Sequence, residues 1–229
     1  KLLRVILRAG VMEDGRVRHP VSGTPQGGVI SPLLANIYLH RVDAAWTKRG
    51  RGVLVRYADD LVVMCRTRAE AEASLALLQQ ILGDLGLQLK ESKTRIVQLR
   101  EGGEGFDFLG FHHRWVRARR PGARHIKLLA RWPSRKAMQH ARDRIREMTR
   151  SKVLHGGLRA VVERLNRFLR GWAGYFRYGV SAHALSRIRA FAADRLARLL
   201  ARQHGRRPGW GRAVLFFHCR DQLGLLDLR

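Results

Sequence analysis

Hydrophobic and polar positions in the first part of the chain follow first a helical and then a strand-like spacing. SPLLANIYLHRVDAAW, with Ser31 as N-cap and a proline in its first turn, predicts a helix. VLVRYADDLVVMC, residues 53–65, places apolar runs on both sides of an acidic centre and predicts a hairpin. TRAEAEASLALLQQILGDLG predicts a second helix, which a Thr67–Glu70 capping box opens and Gly86 closes.

After this helix the apolar positions alternate again. LQLK and RIVQL, on either side of the polar turn ESKT, predict two strands, and FDFLGF predicts another short strand. Together with the helices upstream, these elements predict an α+β fold in which an antiparallel sheet is backed by helices.

Beyond FDFLGF the strong patterns are helical. RWPSRKAMQHARDRIREM has an N-cap at Ser134, GGLRAVVERLNRFLRGWAGYFRYG predicts one or two helices, and the segment from Ser181 to Gly205 predicts a long one. Their apolar positions form one face, and arginines crowd the others. We therefore predict two domains: residues 1–112 with the sheet, and residues 113–229 as an all-α domain.

The charge of the chain is strongly positive and unevenly distributed. The 229 residues carry a formal net charge of +27, of which residues 1–112 hold +4 and residues 113–229 hold +23. Such an excess indicates a polyanionic partner, and the forked guanidinium of the abundant arginines suits phosphate. The composition therefore favours nucleic-acid binding, mainly by the second half.

Other classes of protein are disfavoured. No apolar stretch approaches the roughly 20 residues that a membrane helix needs, so we expect no membrane partner. The two cysteines, Cys65 and Cys219, lie too far apart in sequence for a zinc spacing, and a disulfide framework is not expected. We expect a reducing compartment, the bacterial cytoplasm.

Two motifs carry candidate chemistry. Asp59 and Asp60 lie at the predicted hairpin tip, where the pair fits either an ordinary turn or a metal site, because adjacent carboxylates repel unless a cation offsets them. Upstream, GTPQGGVISPLLAN is a glycine-rich loop that leads into a helix N-terminus. It fits either an ordinary connection or the close approach of a nucleotide.

These motifs, in this order, resemble a known family. GTPQGGVISPLLANIYL, RYADDLVV, GLQLKESKT and FLGF resemble the palm of group II intron reverse transcriptases, also called intron-encoded maturases, and LNRFLRGWAGYFRYG resembles the start of their maturase domain. The resemblance covers essentially all of the chain. It implies an RNA-directed DNA polymerase that binds intron RNA as template, uses a DNA primer and dNTPs, and assists splicing.

The resemblance also implies roles for individual residues. Asp59 and Asp60 would hold two Mg²⁺ ions, and Lys93 would protonate the leaving pyrophosphate, although a solvated turn lysine is an equal alternative. The residues that would line the nascent base pair and the template are Pro25, Gln26, Gly27 and Gly28. Those that match the primer-grip turn are Phe108, Leu109, Gly110 and Phe111.

Some aromatic positions allow two interpretations. Phe108 could serve strand packing alone. Trp172, Tyr175 and Phe176 lie between Arg170 and Arg177, so they could stack on bases, but at helical spacing we expect at least two of the three in the core.

The chain also departs from the family pattern. No segment matches the third catalytic carboxylate, which lies on a strand upstream of the glycine-rich loop, or the fingers, and Asp14 is not assigned that role. We therefore expect the C-terminal portion of a longer protein, inactive in polymerisation alone. Two alternatives stay open: a non-catalytic RNA-binding splicing factor that keeps the palm as scaffold, and a retron or defence-associated reverse transcriptase.

Overall fold

The chain forms two compact units, Lys1–Ile96 and Val97–Arg229. The computed structural model describes residues 11–13, 16–18, 30–118, 122, 125–150 and 157–217, with backbone alone for 11–13, 16–18 and 215–217.

The first unit combines hairpins and helices. Its described elements are β1 (Val11–Glu13), β2 (Arg16–Arg18), α1 (Ser31–Arg49), β3 (Val53–Tyr57), β4 (Asp60–Met64) and α2 (Arg68–Gly83). β1 pairs with β2 and β3 with β4, both antiparallel. A small core, formed by Val42 and Trp46 of α1 with Leu78, Ile81 and Leu82 of α2, receives one face of the β3–β4 hairpin. The predicted hairpin is therefore confirmed, and two helices support it.

The helix ends follow the predicted chemistry at α2 and differ by one residue at α1. Thr67 Oγ1 accepts a hydrogen bond of 3.1 Å from the Glu70 amide, and Gly86 has the left-handed φ of 69° expected of a C-terminal glycine. At α1 the N-cap is Ile30, whose carbonyl accepts from the Leu34 amide, so Ser31 lies in the first turn. The predicted Ser31 cap is thus wrong by one position.

The strands predicted for LQLK and RIVQL are wrong. Within the described residues, 87–100 hold a short 3-10 turn, Glu91–Lys93, and otherwise no regular element. Leu87 and Leu89 are half-buried against the core of the first unit, whereas Gln88 and Lys90 are exposed. The alternation therefore reports an extended segment lying on the core, because strand formation also requires a neighbouring ladder.

The second unit contains a sheet and four helices among its described residues. The elements are β5 (Phe106–Phe108), β6 (Phe111–Arg117), β7 (Lys127–Pro133), α3 (Arg135–Met148), α4 (Gly157–Phe176), α5 (Ala182–Gln203) and α6 (Pro208–Phe217). The strands form one antiparallel sheet in the order β5-β6-β7. The α+β class is confirmed, and the second half is mainly helical.

Three features of this unit correct the sequence predictions. FDFLGF forms two strands joined by a turn, not one strand. β7 and most of β6 lie in the region that was expected to be purely α-helical. The short helix α6 was not predicted. Because β5 pairs with β6 and β6 with β7, the FDFLGF hairpin lies in the second compact unit, which begins at Val97. The division into domains at residue 112 stays a prediction.

The helices of the second unit enclose the larger core. Five fully buried side chains lie at its centre: Ile145, Leu165, Leu169, Ile188 and Leu196. The predicted Ser134 cap is confirmed, since its hydroxyl accepts from the Ala137 amide at 3.1 Å. In the part of the chain that the structure describes, no helix is both long and apolar enough to cross a membrane.

Candidate active site

The two adjacent aspartates lie at the tip of the β3–β4 hairpin. Tyr57 is opposite Asp60 in the ladder, so Ala58 and Asp59 form a two-residue loop. Ala58 has a φ of 53°, which is uncommon for a residue other than glycine. Both carboxylates are exposed, and neither forms a hydrogen bond or ion pair with another described residue. The tip therefore presents two oxygen-rich, negatively charged groups to solvent.

Arg56 fixes this tip to helix α1. Its Nε donates to Asp43 Oδ1 at 2.8 Å, and its Nη1 donates to Asn36 Oδ1 at 2.9 Å, both on α1. The same Nη1 donates to the carbonyl of Ala58 at 3.1 Å. The Arg56 side chain is only 12% exposed, so these bonds are largely shielded from water. One guanidinium thus connects the loop that carries Asp59 to a neighbouring helix.

The charge of Arg56 is balanced by Asp43, so Arg56 does not neutralise the two carboxylates at the hairpin tip. The hydrogen bond from Arg56 lowers the pKa of Asp43, and the same hydrogen bond raises the pKa of Arg56. The charge of Arg56 is therefore matched by Asp43. Asp59 and Asp60 offer the hard oxygen ligands that Mg²⁺ or another divalent cation prefers. Their chemistry fits such an ion, although the described residues contain no cluster of three or more potential ligands.

The remaining residues predicted for the first unit are less constrained. Lys93 is exposed at the end of the 3-10 turn, and no hydrogen bond or ion pair joins its side chain to another described residue. Its role stays a prediction. Pro25, Gln26, Gly27 and Gly28 lie outside the described residues.

The predicted primer-grip residues form a second tight turn, between β5 and β6. Phe108 is opposite Phe111, and the two loop residues, Leu109 and Gly110, have φ values of 49° and 76°. The Gly110 carbonyl accepts from the Ser134 amide at 2.8 Å. These contacts hold the turn against the start of α3.

The C-terminal end of α4 also contacts this turn. The Phe176 ring lies 4.8 Å from that of Phe111, and the Tyr175 hydroxyl donates to the Leu109 carbonyl at 2.9 Å. Trp172 and Phe176 are buried, which confirms that at least two of the three aromatics belong to the core. Sequence reasoning missed the role of Tyr175, and only the unusual spacing of aromatics in GWAGYF hinted at it.

The helices of the second unit carry exposed positive charge. Arg167 and Arg170 on α4 and Arg187 on α5 are exposed and have no ion-pair partner among the described residues. Other arginines pair with the few acids, as Arg144 does with Glu147. The excess of basic residues therefore leaves arginines free for phosphate contacts.

Comparison with known families agrees with this arrangement. Residues 2–113 match the family described as reverse transcriptase (RNA-dependent DNA polymerase), and residues 138–215 match the group II intron, maturase-specific domain. Successive parts of the chain are therefore similar to the reverse transcriptases and to the maturase-specific domain of group II introns. Reverse transcriptases generally use divalent metal ions, in accord with the carboxylates at the β3–β4 tip.

Individual relatives match parts of this chain. Protein YkfC of Escherichia coli is 35% identical over 52% of this chain and 39% of its own length. Group II intron-encoded protein LtrA of Lactococcus lactis subsp. cremoris is 54% identical over 19% of this chain and 7% of its own length. An uncharacterized 91 kDa protein in the cob intron of Schizosaccharomyces pombe is 49% identical over 19% and 5%. The chain therefore spans less than half the length of these curated relatives.

Proposed function

We propose that the chain supplies the palm and maturase portions of an RNA-directed DNA polymerase of group II intron type. Such a protein extends a DNA primer with dNTPs on an intron RNA template, and it assists the splicing of that intron. The observation that carries the proposal is the pair of exposed carboxylates, Asp59 and Asp60, on a hairpin tip that Arg56 fixes to α1. The maturase-specific match that follows in the same chain sets the intron type.

Asp59 and Asp60 are proposed to hold two Mg²⁺ ions. When bound, these ions would supply the activation of the primer 3′-hydroxyl and the stabilisation of the leaving pyrophosphate. The protein itself contributes a turn whose conformation Arg56 maintains through the Ala58 carbonyl. Because Asp43 already matches the charge of Arg56, the guanidinium supports the loop without competing strongly for the carboxylates.

Other residues are proposed to handle the substrates. Lys93 would donate a proton to the pyrophosphate, and its exposed position leaves it free to approach that group. The residues proposed to line the nascent base pair and the template are Pro25, Gln26, Gly27 and Gly28. Those proposed to contact the primer are Phe108, Leu109, Gly110 and Phe111.

RNA binding without DNA synthesis is a second candidate function. The net charge of +23 on residues 113–229 and the maturase-specific match over 138–215 favour a splicing role that does not depend on the carboxylates. Under either candidate function, the affinity of the protein for RNA should fall steeply with salt concentration, because phosphate contacts release counterions. The bacterial cytoplasm, where intron RNA is transcribed, is the proposed location.

Template-directed primer extension by the complete gene product separates the two candidates. Asp59→Ala should lower the rate of DNA synthesis by about 1,000-fold or more, since removing a metal ligand forfeits several kcal/mol of transition-state stabilisation. Asp84→Ala, at an exposed aspartate beside the end of α2, is the matched control and should retain synthesis. RNA affinity should be unchanged in both variants.

Each result has a distinct meaning. Normal synthesis by Asp59→Ala would contradict the proposed metal site. Splicing assistance by a wild-type protein that synthesises no DNA would instead establish the second candidate.

A further inference from the structure

The turn between β5 and β6 is held at its apex by a side chain distant in sequence. Tyr175 lies 66 residues beyond Leu109, near the end of α4, and its hydroxyl donates to the Leu109 carbonyl at 2.9 Å. The Tyr175 side chain stays 52% exposed, so hydrophobic burial alone does not account for its position. The hydrogen bond joins a residue of the reverse transcriptase match to a residue of the maturase-specific match.

This hydrogen bond stabilises a turn conformation that is unfavourable for Leu109. A two-residue hairpin loop with positive φ at both positions usually begins with Asn, Asp or Gly, and here it begins with Leu109. The left-handed conformation is unfavourable for a residue that carries a Cβ, because the Cβ comes close to the following carbonyl oxygen. A donor that binds the Leu109 carbonyl favours this conformation over alternatives in which the carbonyl points elsewhere.

Two other anchors hold the second loop residue, Gly110, and the residue after it, and neither binds Leu109. The Ser134 amide binds the Gly110 carbonyl at 2.8 Å, and the Phe111 ring lies 4.8 Å from Phe176. These contacts fix the descending side of the turn. Tyr175 adds the contact to Leu109, the first loop residue, and its ring lies 5.5 Å from that of Phe111.

We infer that Tyr175 is a positioning residue whose hydroxyl fixes the Leu109 carbonyl and thereby orients the turn toward the primer. The first part of this inference, that the hydroxyl fixes the Leu109 carbonyl, stands on the structure. The second part, that the turn is thereby oriented toward the primer, rests on the proposed primer-grip function. The hydroxyl acts through the turn, whereas a stacking role would use the ring. Tyr175→Phe therefore separates the two roles, because it removes the hydroxyl and keeps the ring.

Amide hydrogen exchange in the full 229-residue chain tests the first part. Tyr175→Phe should accelerate exchange of the Ser134 amide, which binds the Gly110 carbonyl, and of the Phe111 amide, in the ladder pair with Phe108, by about two- to tenfold, the range expected for loss of one hydrogen bond. Tyr178→Phe is the matched control: Tyr178 is 55% exposed, and its hydroxyl binds only the neighbouring Arg177 among described residues. Unchanged exchange in Tyr175→Phe, or an equal acceleration in the control, would overturn the inference.

Primer extension by the complete protein tests the second part. Tyr175→Phe should raise KM for the primer by about two- to tenfold with kcat nearly unchanged, because a looser turn weakens primer binding and leaves the carboxylates intact. Faster exchange with an unchanged KM would uphold the positioning of the turn and overturn its primer-grip role. Normal exchange with a raised KM would overturn the positioning role and point to direct contact between the hydroxyl and the primer.

Discussion

The two hairpins at the centre of this account, β3–β4 and β5–β6, are built alike. Each has a two-residue loop whose first residue is left-handed without being glycine: Ala58 in one, Leu109 in the other. In each, the carbonyl of that residue accepts a hydrogen bond from a side chain, from Arg56 or Tyr175. An unfavourable loop conformation is thus stabilised twice by the same device.

The donors differ in a way that matches what each tip presents. Arg56 comes from the hairpin itself and is fixed to α1 by Asp43, so a charged network supports the tip that carries two carboxylates. Tyr175 comes from a distant helix and is neutral, and it supports a tip of backbone and apolar groups. The comparison indicates that a charged tip is accompanied by a balanced ion pair, whereas a neutral tip requires only a hydroxyl.

The largest expected effect concerns a glycine that lies at the equivalent position of each hairpin. Gly52 and Gly105 immediately precede β3 and β5, with φ values of 78° and 73°. A Cβ at Gly52 would overlap the Met64 carbonyl, and one at Gly105 would overlap the His113 carbonyl. Alanine at either position should lower the free energy of unfolding by about 2–4 kcal/mol, from backbone strain and overlap together.

Gly102→Ala is the matched control for this experiment. Gly102 has a φ of 76° but open space where a Cβ would lie, so alanine there should cost only the strain, about 1–2 kcal/mol. Urea unfolding, followed by the amide signals of each unit, measures all three variants. Equal losses at all three glycines would show that the close approach to the opposite strand is unimportant.

The next largest effect on stability is expected from Arg56, which supports the first hairpin. Arg56→Gln should destabilise the first unit by about 2 kcal/mol, because it removes charge-assisted hydrogen bonds from a side chain that is largely shielded from water. Arg66→Gln, at an exposed arginine close to the same hairpin, should change stability by less than about 0.5 kcal/mol. A loss of stability in Arg66→Gln as large as that in Arg56→Gln would show that the contacts of Arg56 stabilise the hairpin no more than an exposed arginine does.

The ion pair also predicts a pH dependence that the neutral support lacks. Hydrogen bonding to Arg56 lowers the pKa of Asp43 below its ordinary value of 3.8. A lowered pKa means that the stabilisation is complete above about pH 3.8 and is lost as the pH falls through the folded-state value. The stability difference between wild type and Asp43→Asn should therefore shrink on acidification below that pH. A difference independent of pH would contradict the pair.

The smallest effect comes from relieving the first loop. Ala58→Gly removes left-handed strain worth about 1–2 kcal/mol and adds about 0.4–1 kcal/mol of unfolded-chain entropy, so a net gain of about 0.5 kcal/mol is expected. Ala73→Gly, at an exposed position within α2, should instead lose about 1 kcal/mol. Thermal unfolding compares the two. A loss at Ala58 would mean that its left-handed φ is not strained.

Local chemistry made much of the fold predictable from the sequence. The caps at Thr67 and Ser134, the glycine at Gly86 and the hairpin around Asp59 all depend on residues within a few positions of one another. Such short-range signals need no knowledge of the partners that a segment meets in the folded chain.

Long-range pairing made the rest unpredictable. The alternation at Leu87 and Leu89 is real but has no ladder beside it, whereas β7 forms because β6 offers its edge, despite the charged residues in both strands. The contact of Tyr175 with Leu109 spans 66 residues and leaves no periodic trace. The aspartate pair was identified only by the order of several motifs, because its chemistry alone also fits a turn.

Binding of Mn²⁺ to the 229-residue chain, followed by paramagnetic broadening of its amide signals, tests the central claim most directly. We predict that substoichiometric Mn²⁺ broadens the signals of Ala58, Asp59, Asp60 and Leu61 first, and that excess Mg²⁺ restores them. An Asp59→Asn/Asp60→Asn double variant should lose this selective broadening, whereas Asp84→Asn should keep it. Broadening that spares the hairpin tip, or that persists there in the double variant, would contradict the assignment of the two carboxylates as the metal site.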